Sequence, residues 1–210
     1  MQILSHRGYW KSPAEKNSAT AFTRSFELGF GTETDLRELN GRLVISHDPP
    51  LAGALLMEEF LDIYLGFPSR LPLALNIKED GLQDALTRII AERDISNYFC
   101  FDMSTPDMLY YYSKGLNTFT RQSDVEPEPV CYSQSNGIWM DTMFQEWIER
   151  DNIVQPLADS KLVCIVSPDL HGRPHEEFWD RLLDWDLMQE QNLMLCTDFP
   201  EAAAAKFKAK

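Results

Sequence analysis

Two acidic side chains, Glu33 and Asp35, are the first feature of the sequence with a chemical meaning. They are separated by one residue in a segment of β-strand character, so the alternation of side chains places both carboxylates on one face. Two carboxylates held side by side repel each other, and a cation between them removes that repulsion. Hard oxygen ligands suit Mg²⁺ or Ca²⁺, so the pair predicts a divalent-metal site.

A histidine is expected close to this pair. Asn40-Gly41 lies between residues of extended character and predicts a tight reversal of the chain. The returning segment, residues 43–46, ends on His47-Asp48 and then on two prolines. The sequence therefore predicts that His47, an imidazole able to gain or lose a proton, lies near the end of the strand that carries the two acids.

The elements that position these residues alternate along the chain. Eight apolar strand-like runs are interleaved with helical patterns, which include residues 51–65, 82–93 and 144–148. This alternation predicts parallel strands and an α/β fold of the (β/α)8 TIM-barrel class, with a doubly wound open sheet as the alternative. The glycine-rich phosphate loops typical of that alternative are missing. No Pro/Gly/Ser-rich linker interrupts the sequence, so a single domain over residues 1–210 is expected.

A barrel would gather polar residues at its mouth, because active sites of this fold lie at the C-terminal ends of the strands. The predicted strands end on His6 and Arg7, Glu33 and Asp35, Asn76 and Lys78, Asp102, Arg121, Asp141, Ser167, and Thr197 with Asp198. For Asp141 and Asp198 a strand-exit cap is the favoured interpretation. The residues for which a functional role is favoured are His6, Arg7, Glu33, Asp35, His47 and Lys78.

These side chains suit the cleavage of a phosphodiester. A divalent ion at Glu33 and Asp35 would neutralise a phosphoryl oxygen, and Arg7 and Lys78 would offset the remaining negative charge. Of the two histidines, one takes a proton from the attacking group and the other gives a proton to the leaving alkoxide. Zinc is the competing metal, but no pair of histidines has the helical spacing of zinc ligands.

The same residues belong to a series of short motifs that resembles the glycerophosphodiester phosphodiesterase family, which is part of a wider group of phospholipase C-like phosphodiesterases on TIM barrels. In chain order the motifs are His6-Arg7-Gly8, Glu15-Lys16-Asn17-Ser18, Glu33-Thr34-Asp35, His47-Asp48-Pro49, Asn76-Ile77-Lys78 and Thr197-Asp198-Phe199-Pro200. The resemblance implies a phosphoric diester hydrolase. It makes His6 and His47 the acid/base pair, and it makes Glu33 and Asp35 metal ligands.

The sequence departs from the family pattern at two places. Asn76 stands where the family usually has a glutamate, so a neutral amide that can still coordinate through its oxygen replaces the third carboxylate ligand. Weaker metal binding is expected, because hard cations depend on ligand charge. Only a short connection follows His47-Asp48, where many members insert a small subdomain that shapes the substrate pocket. The expected substrate is a small soluble phosphodiester, either glycerophosphodiester-like or a sugar or nucleotide phosphodiester.

Two alternative functions use the same residues. The first is a catalytically weak phosphate-binding module, for which the neutral Asn76 is the supporting feature. The second is a metal-dependent lyase that forms a cyclic phosphate, as some barrel relatives do.

The composition narrows the partners and the compartment. A net charge of −14, from 33 acidic and 19 basic residues, argues against binding to nucleic acid or to an anionic membrane through the general field of the protein. The sequence opens without a basic signal region, and no apolar run approaches membrane-spanning length, so a cytoplasmic location is expected. The four cysteines lack metal-type spacing and are expected to be thiols.

Overall fold

The structure is a computed structural model that describes residues 1–208. Residues 209 and 210, the end of the Ala-rich and Lys-rich tail, lie outside the described part. The strands are β1 (Gln2–His6), β2 (Gly31–Leu39), β3 (Arg42–Ile45), β4 (Leu55–Leu56), β5 (Leu73–Ile77), β6 (Tyr98–Phe101), β7 (Phe119–Ser123), β8 (Gly137–Asp141), β9 (Leu162–Val166) and β10 (Leu193–Thr197). The α-helices are α1 (Ala19–Glu27), α2 (Met57–Leu65), α3 (Gln83–Glu92), α4 (Thr105–Ser113), α5 (Arg150–Ala158), α6 (Glu176–Asp184) and α7 (Pro200–Lys208).

Parallel pairing dominates the sheet. β5 pairs in parallel with β2 and β6, and a second parallel run joins β7, β8, β9, β10 and β1 in that order. β3 returns antiparallel to β2, and β4 pairs antiparallel with β3. The alternation of parallel strands with helices confirms the predicted (β/α)8 TIM-barrel class.

By its internal contacts the chain divides into two compact units. One contains Met1–Ser5 together with the residues from Phe119 onward, and the other is His6–Thr118. The first unit has a core of buried aliphatic and aromatic side chains from β8, β9, β10, α5, α6 and α7. In the second unit α1 packs on α2 through aromatic rings, with the centroids of Phe22 and Phe60 4.6 Å apart. The expectation of a single domain stays a prediction.

The hairpin that carries the acids forms as the sequence predicts. Asn40 and Gly41 both have left-handed backbones, with φ of 53° and 79°, as a two-residue reversal requires. Arg42 then pairs with Leu39, and Ile45 pairs with Leu36. This register places the residues that directly follow β3 next to the part of β2 that carries Asp35.

The helix predicted over residues 51–65 begins six residues later than expected. Gly53 has a left-handed φ of 91°, and Leu55–Leu56 pairs with β3 as a short strand before α2 starts at Met57. The apolar residues at the start of this segment are therefore used in strand pairing and in a loop.

The helix predicted over residues 144–148 is wrong. These residues form a loop, because the carboxylate of Asp124 accepts the backbone N–H groups of Met143, Phe144 and Gln145. Ile148 is fully buried in the core although it lies in this loop, and its burial explains the helix-like apolar spacing. The helix of this region is α5, which begins at Arg150.

Three smaller findings complete the fold. β7 continues to Ser123, so Arg121 lies inside the strand and not at its end. Its guanidinium forms an ion pair with Glu126. None of the four cysteines, all of which lie within residues 1–208, forms a disulfide. Over the same residues, no helix combines the length and apolar character that crossing a membrane requires.

Candidate active site

Glu33 and Asp35 lie on one face of β2, and both are almost completely buried, with 2% and 0% of their surface exposed. Burial, and next the negative charge of Asp35, raise the pKa of Glu33 to about 8, while the charges of Lys78 and Arg7 oppose the rise. Burial beside a second carboxylate therefore favours the protonated form of Glu33. The repulsion predicted from the sequence is present in the structure.

The partners of Asp35 are cationic and polar. Nε of Arg7 lies 3.1 Å from Oδ2, and Nζ of Lys78 lies 3.4 Å from Oδ1. Both are ion-pair distances without the alignment of a hydrogen bond, since Arg7 Nε and Asp35 Oδ1 make none in the described part of the chain. Nδ2 of Asn17 donates a hydrogen bond of 2.8 Å to Oδ2. Asp35 is therefore the charged centre of the site.

Asn17 is a site residue that the sequence analysis missed. Its Oδ1 accepts the hydroxyl of Thr34 at 2.9 Å, so the amide side chain is held on both sides while it donates to Asp35. It sits in a left-handed backbone with φ of 58°, directly before Ser18, whose Oγ caps α1 by accepting the N–H of Ala21. The signal that was available is its place in the Glu15-Lys16-Asn17-Ser18 motif.

The turn after β1 brings His6 and Arg7 to the acids. The backbone N–H of Arg7 donates to Glu33 Oε2 at 3.2 Å, and Nε2 of His6 lies 4.0 Å from the same oxygen. Arg7 has a left-handed φ of 57°, which is uncommon for a side-chain-bearing residue and typical of functional turns. At Gly8, where φ is 76°, a Cβ would lie 2.8 Å from the Cβ of Ala21. Only glycine permits this approach of the turn to α1.

His47 lies beside the same site, on the hairpin. The N–H of Ser46 donates to the carbonyl of Asp35 at 3.0 Å, which fixes the backbone just before the histidine. The imidazole is 43% exposed, and its Nδ1 lies 2.8 Å from Oδ1 of Asp48. A proton on Nδ1 satisfies this contact, and in the neutral imidazole Nε2 is then the nitrogen without a proton.

A cavity of about 700 Å³ joins the two histidine-bearing segments. Its walls include Arg7, Lys16 and Asn17 from the segment before α1, and His47 and Leu51 from the segment after β3. The predicted residues Arg7 and His47 therefore face one common space, which acidic side chains, Asp48 and Glu59, also line together with basic and apolar groups.

Asn76 and Lys78 reach the site from β5. Asn76 is directly opposite Asp35 in the parallel register, and the N–H of Lys78 donates to the carbonyl of Leu36 at 3.0 Å. Asn76 is 6% exposed, and its Oδ1 has no hydrogen-bond partner among the described residues. A buried amide oxygen without a donor is available to coordinate a cation.

The donor set fits a hard metal ion by its chemistry. It offers two carboxylates, Glu33 and Asp35, and the amide oxygen of Asn76, which are the oxygen ligands that Mg²⁺ and Ca²⁺ take. Among residues 1–208 there is no group of three or more His, Cys, Asp or Glu side chains that could hold a metal. A site that uses an amide as its third ligand does not require such a group.

The fold matches solved structures of phosphodiesterases over nearly its whole length. An inferred glycerophosphodiester phosphodiesterase from Galdieria sulphuraria is 17% identical with a TM-score of 0.78, covering 99% of this chain and 97% of that one. Glycerophosphodiester phosphodiesterase from Agrobacterium tumefaciens str. C58 is 15% identical with a TM-score of 0.74, covering 100% of both chains. A Ca²⁺-dependent phosphatidylinositol-specific phospholipase C from Streptomyces antibioticus is 11% identical with a TM-score of 0.59, covering 98% and 95%.

These likenesses establish the class of fold. The chain has the TIM-barrel fold of the glycerophosphodiester phosphodiesterases, as the motif series led us to expect. No protein-family model matches the sequence, and no curated protein matches it significantly.

Proposed function

We propose that the protein is a metal-dependent phosphoric diester hydrolase of the glycerophosphodiester phosphodiesterase type. The observation that carries the proposal is the convergence of His6, Arg7 and Lys78 on the buried pair Glu33 and Asp35. Two cations and a histidine around two carboxylates form a charge arrangement suited to a phosphate ester and a metal. The shared fold with enzymes of that name supports the same reaction class.

Glu33, Asp35 and Asn76 would hold the metal, which we propose to be Mg²⁺ or Ca²⁺. Such an ion supplies Lewis-acid stabilisation of the negative charge that develops on a phosphoryl oxygen. The raised pKa of Glu33 supports the assignment, because a pair of carboxylates that cannot both ionise alone is stabilised when a cation binds. A Ca²⁺-dependent enzyme is among the proteins that share this fold.

The remaining residues act on the phosphate and on protons. Arg7 and Lys78 lie next to Asp35 and would offset the phosphate's negative charge. His6 is buried beside Glu33, whereas His47 faces the cavity, so the two imidazoles occupy different positions relative to the acids. One would remove a proton from the attacking water and the other would donate a proton to the leaving alkoxide.

The cavity supports a small substrate. Its volume of about 700 Å³ suits a compact phosphodiester, and Lys16 and Arg7 give part of its wall a positive charge. We propose a soluble glycerophosphodiester-like, sugar or nucleotide phosphodiester in the cytoplasm, without nucleic-acid or membrane partners, in keeping with the net charge of −14.

Turnover assays test this proposal. The protein would be assayed with a chromogenic phosphodiester and a panel of glycerophosphodiesters in Mg²⁺, in Ca²⁺ and with a chelator. We expect metal-dependent hydrolysis that is lost in His6→Ala and retained in Arg42→Gln, a change in an exposed ion pair with Glu58. Hydrolysis that persists at full rate in the chelator, or in His6→Ala, would contradict the proposal. Phosphorus NMR of the product separates hydrolysis from formation of a cyclic phosphate.

A phosphate-binding module is the second candidate. Asp35 already has Arg7 and Lys78 as partners, and the third metal ligand is a neutral amide, so the site compensates part of its charge without a metal. This reading predicts calorimetric binding of inorganic phosphate with no turnover of any ester in the panel.

A further inference from the structure

Arg37 is the next residue after Glu33 and Asp35 on the same face of β2. Its guanidinium contacts two segments of the unit His6–Thr118 that the proposed reaction requires. Nε donates a hydrogen bond of 3.0 Å to the backbone carbonyl of His47, and Nη1 lies 3.6 Å from Oε2 of Glu79. One side chain thus connects the strand of the acids to the histidine of the hairpin.

Glu79 holds Arg37 from a fixed position. It directly follows Lys78, and its second oxygen, Oε1, accepts the backbone N–H of Glu38 at 2.6 Å. One carboxylate oxygen is therefore anchored to β2 and the other faces the guanidinium. Because the N–H of Lys78 also donates to the carbonyl of Leu36, the chain on which Glu79 sits is tied to β2 at two adjacent residues.

His47 needs such an anchor because regular pairing ends just before it. The last ladder contact on its side of the hairpin is the hydrogen bond from Ser46 to the carbonyl of Asp35. The imidazole contacts Asp48, whose own side chain is 87% exposed and gives it little restraint. The hydrogen bond from Arg37 holds the backbone carbonyl of His47 itself, and three bonds connect the carbonyl carbon to the imidazole ring.

We propose that Arg37, supported by Glu79, is a positioning residue that sets the place of the His47 imidazole, an inference that rests on the role of His47 in the proposed function. The ion pair of Arg37 and Glu79 is partly exposed, with 20% and 33% of the side chains accessible, so it contributes little to global stability. The contacts of Arg37 instead fix the position of the His47 imidazole. Misplacement of an acid/base group by about 1 Å can lower a rate by roughly 10²-fold.

Four variants test the inference. Arg37→Gln removes both contacts, Glu79→Gln weakens the support, and Arg37→Lys provides a single donor point in place of the guanidinium fork. Arg42→Gln on the neighbouring strand is the matched control, because it removes an exposed ion pair that does not contact His47. We expect Arg37→Gln to lower kcat by at least about tenfold with KM within about twofold, Arg37→Lys and Glu79→Gln to lie between it and wild type, and Arg42→Gln to match wild type.

Combination with His47→Ala separates positioning from a general structural effect. If Arg37 acts through His47, the variant Arg37→Gln/His47→Ala loses no more activity than His47→Ala alone. Multiplicative losses in the double variant, or an unchanged kcat in Arg37→Gln, would overturn the inference.

Hydrogen exchange of the substrate-free protein distinguishes this inference from the proposed function. We expect the amides of Ser46, His47 and Asp48 to exchange faster in Arg37→Gln than in wild type and Arg42→Gln, with the same melting temperature. If wild type turns over no phosphodiester, the proposed function fails, and this measurement still decides whether Arg37 anchors the segment. Equal exchange in all three proteins would end the inference even if the enzyme is active.

Discussion

In the unit His6–Thr118, the acids Glu33 and Asp35 are buried beside each other, whereas in the unit that resumes at Phe119 the acids after the strands accept backbone hydrogen bonds. Asp124 accepts the N–H groups of Met143, Phe144 and Gln145. Asp169 accepts the N–H of Asp198 at 2.7 Å. The acids inside β2 and the acids that follow β7 and β9 therefore have different surroundings.

The pKa values show what this difference means. Burial acts to raise the pKa of Asp124, but the backbone hydrogen bonds that it accepts, with those from Phe144 and Met143 the largest, together outweigh burial, and the net shift is downward. Glu33 has one backbone donor and a second carboxylate nearby, and its pKa rises to about 8. A carboxylate that accepts several backbone hydrogen bonds is stabilised in its charged form and contributes to the structure. A carboxylate with few such donors gains more from a bound cation.

The largest expected effect comes from neutralising the crowded pair. In Glu33→Gln/Asp35→Asn we expect turnover to fall by about 10³-fold or more, since the charge that binds the metal and orders Arg7 and Lys78 is gone. Calorimetric titration should show no Mg²⁺ or Ca²⁺ binding. Unchanged metal affinity in this variant would rule out the pair as ligands.

The matched control removes Asp124, a carboxylate of the other unit that accepts several backbone hydrogen bonds. Asp124→Ala leaves three backbone N–H groups without their acceptor, so we expect a loss of about 1–2 kcal/mol in the free energy of unfolding. Activity per folded molecule should be unchanged. Urea denaturation measures the first effect and steady-state kinetics the second.

The next effect concerns the two imidazoles. We expect His6→Ala and His47→Ala each to lower kcat by about 10²–10⁴-fold with little change in KM, and the wild type to show a bell-shaped dependence of rate on pH. His171→Gln, in the other unit, is the control and should keep wild-type turnover. A His47→Ala protein with normal kcat would remove that residue from the mechanism.

Much of the site follows from local sequence rules. A side-chain period of two places Glu33 and Asp35 on one face, and Asn40-Gly41 brings the chain back, so these features need no knowledge of the rest of the fold. The barrel rule also predicts the polar ends of β1, β8 and β10, at His6, Asp141 and Thr197. The predicted end of β2 is wrong, because β2 continues to Leu39 and Glu33 and Asp35 lie inside the strand.

The contacts that the sequence did not predict are those between distant segments. Asn17 reaches Asp35 across 18 positions in the chain, and apart from its place in a motif that resembles the family, nothing near it in the sequence indicates this contact. Arg37 has no local sign of its contact with His47 either. The wrong helix prediction at residues 144–148 also arises from a tertiary contact. Ile148 is apolar because it packs in the core, and this produces an apolar spacing that resembles a helix.

Substitutions of Asn76 are expected to change metal affinity by a smaller factor than loss of the two carboxylates does. Because an amide brings no net charge, we expect Asn76→Glu to tighten metal binding roughly tenfold and Asn76→Ala to weaken it by a similar factor. Catalysis should gain less than affinity, since an added negative charge also repels the phosphate. Metal titrations of the three proteins provide the measurement. If Asn76→Ala binds metal as well as wild type, its oxygen is not a ligand.

The smallest effect is a pH dependence in the unit that resumes at Phe119. Nε2 of His171 lies 2.6 Å from Oδ1 of Asp141, and this hydrogen bond raises the pKa of His171 above its ordinary 6.5, against the opposing effect of burial. A raised pKa in the folded state means that the stabilisation is fully present below about pH 6.5 and is lost as pH rises through the folded value. Because His171 is 31% exposed, we expect no more than about 1 kcal/mol. Calorimetric melting from pH 5 to pH 9 should show this decline in wild type and a flatter curve in both His171→Gln and Asp141→Asn. If the melting temperature of both variants falls with pH as steeply as that of wild type, the pH dependence arises from other groups. The hydrogen bond between His171 and Asp141 then contributes no pH-dependent stability to this unit.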